Sequence, residues 1–298
     1  RSLNVAQWMQ HNNTQAGVIH SQTSVSIAKE LIKKADTVIF QRCFAEQGNV
    51  GKFLDIARSE NKKCVGEIDD LVFPEHVASI GSVKGGEWNL NEAMFVATAY
   101  ETFLLKMDSC IVSTIALKEY IETTYEKNCE VYPNRISHSK IRKPLKKEGP
   151  LKLIYASGTY SHKEDFELIE QPLYEFLQSN PEVTLSILGA TQSSERILSL
   201  PNVSSYPLLP YDAMLDFIAK HDVMLVPLVD DVFNNAKSNV KFVECSAIGV
   251  LTLASPVREY VSTAETGGLL ISIQTNVYEQ LCEIKNNIND VRNKLVKK

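Results

Sequence analysis

Short, uninterrupted apolar runs recur along most of the chain with amphipathic stretches between them, and this alternation limits the available folds more than any other feature. In the first half the runs are Thr37 to Gln41, Lys63 to Glu67, Ser109 to Ser113 and Glu130 to Tyr132. In the second half they are Leu151 to Ala156, Val183 to Leu188, Asp222 to Leu228, Val250 to Ala254 and Gly268 to Ile271, with helical periodicity over Asp165 to Gln178, Tyr211 to Lys220 and Ser238 to Ile248. A run that is apolar throughout, not at alternate positions, suits a strand buried on both faces. Strands of this kind separated by helices of about 10 to 15 residues predict parallel sheets with helices on both sides, an α/β fold.

With 298 residues, 44% hydrophobic and 22% charged, the chain has a globular composition and is long enough for one large or two modest domains. The formal net charge of -5 argues against a nucleic-acid grip spread over the surface, which needs a strongly basic face. The six cysteines show no close pair with metal-ligand or redox spacing, so a reduced, cytoplasmic setting is the expectation. No apolar run approaches the roughly 20 residues of a membrane-spanning helix, and no signal-peptide pattern stands at the start. The chain opens at Arg1, so it is read as a piece of a longer polypeptide or part of a complex.

The domain expectation is a first lobe over 1–137, a linker over 138–150, a second lobe over 151–274 and an amphipathic helix over 275–298. The linker, His138 to Pro150, is polar and carries Lys140, Arg142, Lys143, Lys146 and Lys147, a solvated stretch in the simplest reading and a phosphate-facing or membrane-surface patch in the alternative. In the last helix Leu281, Ile284, Ile288, Val291 and Leu295 form one apolar stripe, expected to pack across the two lobes, with a peripheral membrane contact through its basic end as the alternative.

The segment Phe233-Asn234-Asn235-Ala236-Lys237-Ser238-Asn239-Val240-Lys241-Phe242-Val243-Glu244 carries the most chemistry. Ser238 is the expected N-cap of the following helix, which would leave the N–H groups of Asn239, Val240 and Lys241 as an anion site for a diphosphate. Lys237 and Lys241, four residues apart, would neutralise its remaining charge, and Glu244, one turn on, would accept from a ribose. An ordinary surface ion pair between Lys241 and Glu244 is the alternative. After the first strand of the second half, Gly158 lets a ligand approach the backbone and Thr159 can donate to a phosphate oxygen. Both segments would lie at the carboxyl edge of a parallel sheet, where open α/β sheets bind ligands.

The run "LIYASGTYSHKEDFELIEQPLYEFLQSNPEVTLSILG", followed by "YPLLPYDAMLDFIAKHDVMLVPL" and "FNNAKSNVKFVECSAIGVLTLAS", resembles the donor-binding lobe of bacterial GT-B glycosyltransferases of the group-one or family-four type. "ADTVIFQRC", "GEIDDLVF", "MDSCIVSTIALKEYI" and "VYPNRI" resemble the acceptor-side lobe of the same enzymes, in the branch that builds surface polysaccharide and lipopolysaccharide. The resemblance covers roughly Asp36 to Gly268.

It implies two Rossmann-like lobes facing across a cleft. It also implies transfer from a nucleoside diphosphate sugar to a saccharide or glycolipid acceptor, retention at the anomeric carbon, and no cofactor or metal in the donor site. Localisation would be cytoplasmic, at the inner face of the membrane if the peripheral contact is made.

Glu244 matches the second glutamate of the family's Glu-x7-Glu signature, which contacts the ribose, with Lys237, Ser238 and Lys241 facing the diphosphate. The first signature glutamate would fall at Ala236, with Asn235 or Asn234 as its stand-in. Leu208 and Leu209 would hold the base through backbone atoms. Asp69 and Asp70 invite a metal reading as paired carboxylates, but the resemblance puts them on the acceptor side, where a carboxylate would orient or deprotonate an acceptor hydroxyl. His162, His20 and Arg42 are further cleft candidates, each more often structural when it stands alone. The rival functions are a non-catalytic glycosyltransferase-like scaffold and, more remotely, a phosphatase or epimerase on the same architecture.

Overall fold

In the computed structural model the described residues are 6, 9–191, 193–265, 269–270 and 277–296. They divide into two compact units. The first holds the described residues up to Ile80, Trp88–Asn134 and Ala236–Ser238; the second holds Gly81–Glu87, Arg135–Asn235 and the described residues from Asn239 onward.

Unit 1 is built on a four-stranded parallel sheet in the order β1-β2-β3-β4, with β1 Thr37–Gln41, β2 Lys63–Ile68, β3 Ser109–Val112 and β4 Cys129–Val131. The helices are α1 Val25–Lys34, α2 Val50–Ser59, α3 Leu90–Leu105 and α4 Ile115–Tyr125. Asn89 starts α3 by accepting from the Asn91 N–H at 2.8 Å, and Thr114 starts α4 by accepting from the Leu117 N–H at 3.2 Å. One core cluster joins Ala28 and Ile32 of α1 and Val50, Phe53, Leu54 and Ala57 of α2 to Phe40, Cys64 and Phe103.

Unit 2 carries a six-stranded parallel sheet in the order β10-β9-β8-β5-β6-β7. The strands are β5 Lys152–Ser157, β6 Thr184–Gly189, β7 Val203–Tyr206, β8 Val223–Val226, β9 Leu251–Ala254 and β10 Leu269–Leu270. The helices of eight residues or more are α5 Lys163–Ser179, α6 Tyr211–Ile218, α7 Val240–Ala247, α8 Arg258–Glu265, α9 Val277–Asn286 and α10 Ile288–Val296.

Because successive side chains of a strand point to opposite faces, the continuous apolar runs feed two cores at once. Leu153, Tyr155, Leu185, Ile187, Val223, Leu225 and Leu253 face one side, where Phe166, Ile169, Leu173, Phe176 and Leu177 of α5 and Leu281 and Ile284 of α9 cover them. Ile154, Ala156, Leu188, Met224, Val226 and Ala254 face the other, beneath Leu215 and Ile218 of α6 and Cys245 of α7.

Strand β7 has no counterpart among the apolar runs. It is Val-Ser-Ser-Tyr at the sheet edge and largely exposed, so burial never selected apolar residues for it. The stretch read as one terminal helix is two, α9 and α10, and α9 packs against α5 inside unit 2. In the expected last strand, Gly268 and Ile271 lie outside the described residues, as do Lys297 and Lys298 of the basic end. All six cysteines are free thiols. Among the described residues no helix is long and apolar enough to cross a membrane.

Candidate functional site

Strand β5 is the first strand of its sheet in chain order, with β6 and β7 on one side and β8, β9 and β10 on the other. The order therefore reverses between β5 and β8, and the crevice outside the carboxyl ends of those strands is where such a sheet binds ligands. The candidate residues of unit 2 gather along this edge.

The loop that follows β5 is open at Gly158: a Cβ built there meets nothing within 4 Å. Ser157 closes the turn, its hydroxyl donating to the Thr159 carbonyl at 2.6 Å. Gly189 lies opposite, at the end of β6. It has φ +95°, and a Cβ there would stand 2.2 Å from the Ser157 carbonyl oxygen, so only glycine lets β5 and β6 end side by side. Glycine's φ freedom is invisible in a sequence until the turn is known, and Gly189 was not among the residues singled out.

Helix α7 begins at Val240 with Asn239 as its N-cap residue, and no side chain caps it. The expected Ser238 cap is thus corrected. The hydroxyl of Ser238 instead accepts from Asn134 Nδ2 at 2.6 Å within unit 1, where Thr114 also donates to the Ala236 carbonyl at 3.0 Å. Lys237 is half-buried and precedes the helix, so the helical four-residue relation expected between Lys237 and Lys241 does not apply.

Lys241, in the first turn of α7, donates through Nζ to the carbonyl of Ala156 at the end of β5 and lies 5.9 Å from the centre of the Tyr155 ring. Glu244, one turn on, accepts from the Tyr211 hydroxyl at 2.9 Å. The two side chains thus turn to partners on β5 and α6. Burial pushes the Glu244 carboxyl above the usual carboxylate range, and the Tyr211 hydroxyl and Lys241 ammonium act against that shift. Tyr211 is pushed up as well, by burial and then by the Glu244 charge.

Leu208 is exposed at 59%, and Leu209 packs partly against the α6 core. The side chain of Asn235 donates to Asp230 at 2.6 Å and accepts from the Arg258 N–H at 3.0 Å. Asn234 is buried and donates to Asp165 at 2.9 Å. Ala236 is buried at 3% exposure.

In unit 1 Asp69 and Asp70 follow β2. Arg42 Nη1 reaches both carboxylates, at 3.4 Å and 3.0 Å, from a backbone with φ 40°. Burial disfavours the Arg42 charge, but the two carboxylates more than offset it and hold the guanidinium above its ordinary value. The Asp69 carbonyl accepts from the Ser113 hydroxyl, which fixes the turn after β2. His20 lies in a surface turn, its Nδ1 3.2 Å from the Gln22 N–H.

No family model matches this sequence, and no curated protein matches it. Solved structures do. The pneumococcal O-GlcNAc transferase GtfA in complex with UDP and GlcNAc is similar over 92% of this chain and 55% of its own, with 15% identity and a TM-score of 0.60. WaaG, a glycosyltransferase involved in lipopolysaccharide biosynthesis, is similar over 95% of this chain and 91% of its own, with 12% identity and a TM-score of 0.56. A TarM mutant from S. aureus, in complex with fondaparinux, α-GlcNAc-glycerol and UDP, is similar over 92% of this chain and 51% of its own, with 14% identity and a TM-score of 0.53. The chain thus spans about half the length of TarM and GtfA. These likenesses define the fold: the chain has the GT-B fold of glycosyltransferases.

Proposed function

We propose that this protein transfers a glycosyl unit from a nucleoside diphosphate sugar to a saccharide or glycolipid acceptor, with the donor held by unit 2. The observation that carries the reading is the half-buried Glu244, braced by Tyr211 beside Lys241 at the carboxyl edge of the sheet. A carboxylate braced by one hydroxyl keeps acceptor capacity for a vicinal diol such as a ribose. Lys241 and the first N–H groups of α7 supply positive potential for a diphosphate. Solved structures of the same fold, GtfA and the TarM mutant, hold UDP.

In this reading the chain's work is electrostatic. Charge developing on the departing diphosphate is met by groups already in place, which need little reorganisation as the bond breaks. Asp69 or Asp70 would orient the acceptor hydroxyl, with Arg42 holding the pair in register. Retention of anomeric configuration and metal-independent transfer complete the proposal, together with a role in surface polysaccharide or lipopolysaccharide synthesis. Product analysis by NMR with and without EDTA tests it: a retained linkage formed at the same rate in EDTA supports it, and inversion or loss of activity in EDTA contradicts that part.

One observation favours a second reading, a non-catalytic nucleotide-binding module. Ala236 replaces the first signature glutamate, and the amides of both Asn234 and Asn235 are engaged with protein groups. Tight nucleotide binding without transfer or donor hydrolysis would decide for the module.

A further inference from the structure

The linker lies along unit 2 and tucks one amine beneath itself without a counter-charge. The Arg142 N–H donates to the Ala247 carbonyl at 2.8 Å, Pro144 packs against Gly249, and Lys147 Nζ donates to the Gly249 carbonyl at 2.8 Å. These contacts hold residues 142–147 against the turn that joins α7 to β9. On either side of Lys147, Lys146 and Glu148 pair with each other in solvent, their side chains 89% and 73% exposed. Lys147 itself is half-buried, so a small reagent can reach it from the solvated flank.

The neighbours of that amine decide its charge. An ammonium has three N–H donors, and the Gly249 carbonyl takes one of them. Among the described residues Lys147 enters no ion pair. Asp222 faces it from before β8, but Arg292 of α10 binds both Asp222 oxygens and the Lys152 N–H binds one of them. Arg292 thus presents a second positive charge to the lysine. His221 beside Asp222 is held towards its neutral form, by burial first and then by Lys147 and Lys152, and burial keeps the Cys245 thiol of α7 protonated. Burial is the largest influence on Lys147 and Arg292 adds to it, against Asp222, which leaves the ammonium at about 8. About a quarter of the amine is then neutral at pH 7.5, against about 0.1% for an ordinary lysine.

We propose that Lys147 is an acylation site whose amine takes an acyl group from a small activated acyl donor, an acyl phosphate or a thioester. The Nζ lone pair adds to the acyl carbon and forms the C–N bond. The carbon–oxygen or carbon–sulfur bond breaks, phosphate or thiolate leaves with the bonding pair, and the proton shed by nitrogen passes to solvent. The amide product keeps one N–H for the Gly249 carbonyl and loses the charge that burial and Arg292 disfavour. Acylation therefore preserves the tie between the linker and the turn after α7 and ends its titration. The step needs no nucleotide and stands apart from the donor reading.

The test treats the full chain with acetyl phosphate at pH 7.5, in buffer and in guanidinium chloride. Acetylation at Lys147 and Lys146 is located in chymotryptic peptides by mass-spectrometric fragmentation. The neutral fraction alone favours Lys147 by roughly a hundredfold, and lower basicity and partial burial take part of that back. In the folded chain Lys147 should therefore react about tenfold faster than Lys146, a preference that disappears in guanidinium chloride. From about pH 7 to pH 10 the Lys147 rate should level off above its midpoint while the Lys146 rate keeps rising. In Lys147→Gln the fast site should be gone and the Lys146 rate unchanged. A second arm with acetyl-coenzyme A separates the two sources, and faster reaction at Lys147 with either donor supports the site. Equal rates at the two lysines of the folded chain, slower reaction at Lys147, or a preference that survives guanidinium chloride would overturn the proposal.

Discussion

At the level of single residues, the edge of the unit 2 sheet separates groups that hold the chain from groups open to a ligand. Gly158 and Gly189 lie at the neighbouring ends of β5 and β6 but play opposite parts. A Cβ at Gly189 would run into the Ser157 carbonyl at positive φ, so Gly189→Ala should cost more than about 1 kcal/mol in urea unfolding. A Cβ at Gly158 meets open space. Gly158→Ala should leave stability within about 0.5 kcal/mol while weakening nucleotide binding, and a variant that melts early or binds normally would remove Gly158 from the site. Tyr211→Phe removes the hydroxyl that holds the Glu244 carboxyl down, so Glu244 should titrate still higher and nucleotide affinity at weakly acidic pH should fall. Carbon-13 NMR of the glutamate carboxyls would show the shift.

At the level of elements, the N-terminal edge of the same sheet is locked by a buried ion pair. Arg292 of α10 binds both oxygens of Asp222, at 2.8 Å and 2.9 Å, and donates to the carbonyls of Gly149 and Pro150, while Asp222 also accepts from the Lys152 N–H. Removing one partner strands the other charge, so Arg292→Met should cost about 3–5 kcal/mol in denaturant unfolding with an unchanged m-value. Lys147 of the linker donates to the Gly249 carbonyl nearby. Burial lowers its pKa to about 8, with Asp222 opposing and Arg292 adding to the shift. Between that value and the ordinary lysine value the unfolded chain binds more protons than the folded one, so this lysine makes the protein more stable as pH rises through the window. The difference in melting temperature between wild type and Lys147→Met should therefore move in favour of wild type from about pH 8 to pH 10. A flat difference would contradict it.

The charge run of the linker reads as solvated in its simplest reading and as a phosphate-facing or membrane-surface patch in the alternative; the contact of half-buried Lys147 with Gly249, about a hundred residues on, is one that no local pattern encodes. The strands were legible because burial on both faces demanded unbroken apolar runs, and β1 runs from Thr37 to Gln41 as the sequence pattern predicts. The edge strand β7 was illegible for the converse reason.

At the level of the whole molecule, the GT-B fold follows from two parallel sheets with helices packed on them, and the apolar rhythm of the sequence carries that much. The candidate site was legible only where neighbours in sequence stay neighbours in space. Helical spacing singles out Lys241 and Glu244 as candidates, but their partners Ala156 and Tyr211 lie on other elements. Asp165 lies 2.7 Å from His162 after β5 and accepts from the Val229 N–H after β8, a tie that depends on strand order, which no local pattern encodes. Ser238 has a residue type that suits a cap, but the helix starts two residues later, with Asn239 at the N-cap position. The proposed donor site stands or falls with binding of a nucleoside diphosphate around Glu244 of unit 2. The direct measurement is calorimetric titration of UDP, GDP, dTDP and CMP into wild type and Glu244→Ala. Saturable binding of one nucleotide, lost or greatly weakened in the variant, is the expected result; equal binding to both proteins, or none to either, would contradict the donor site.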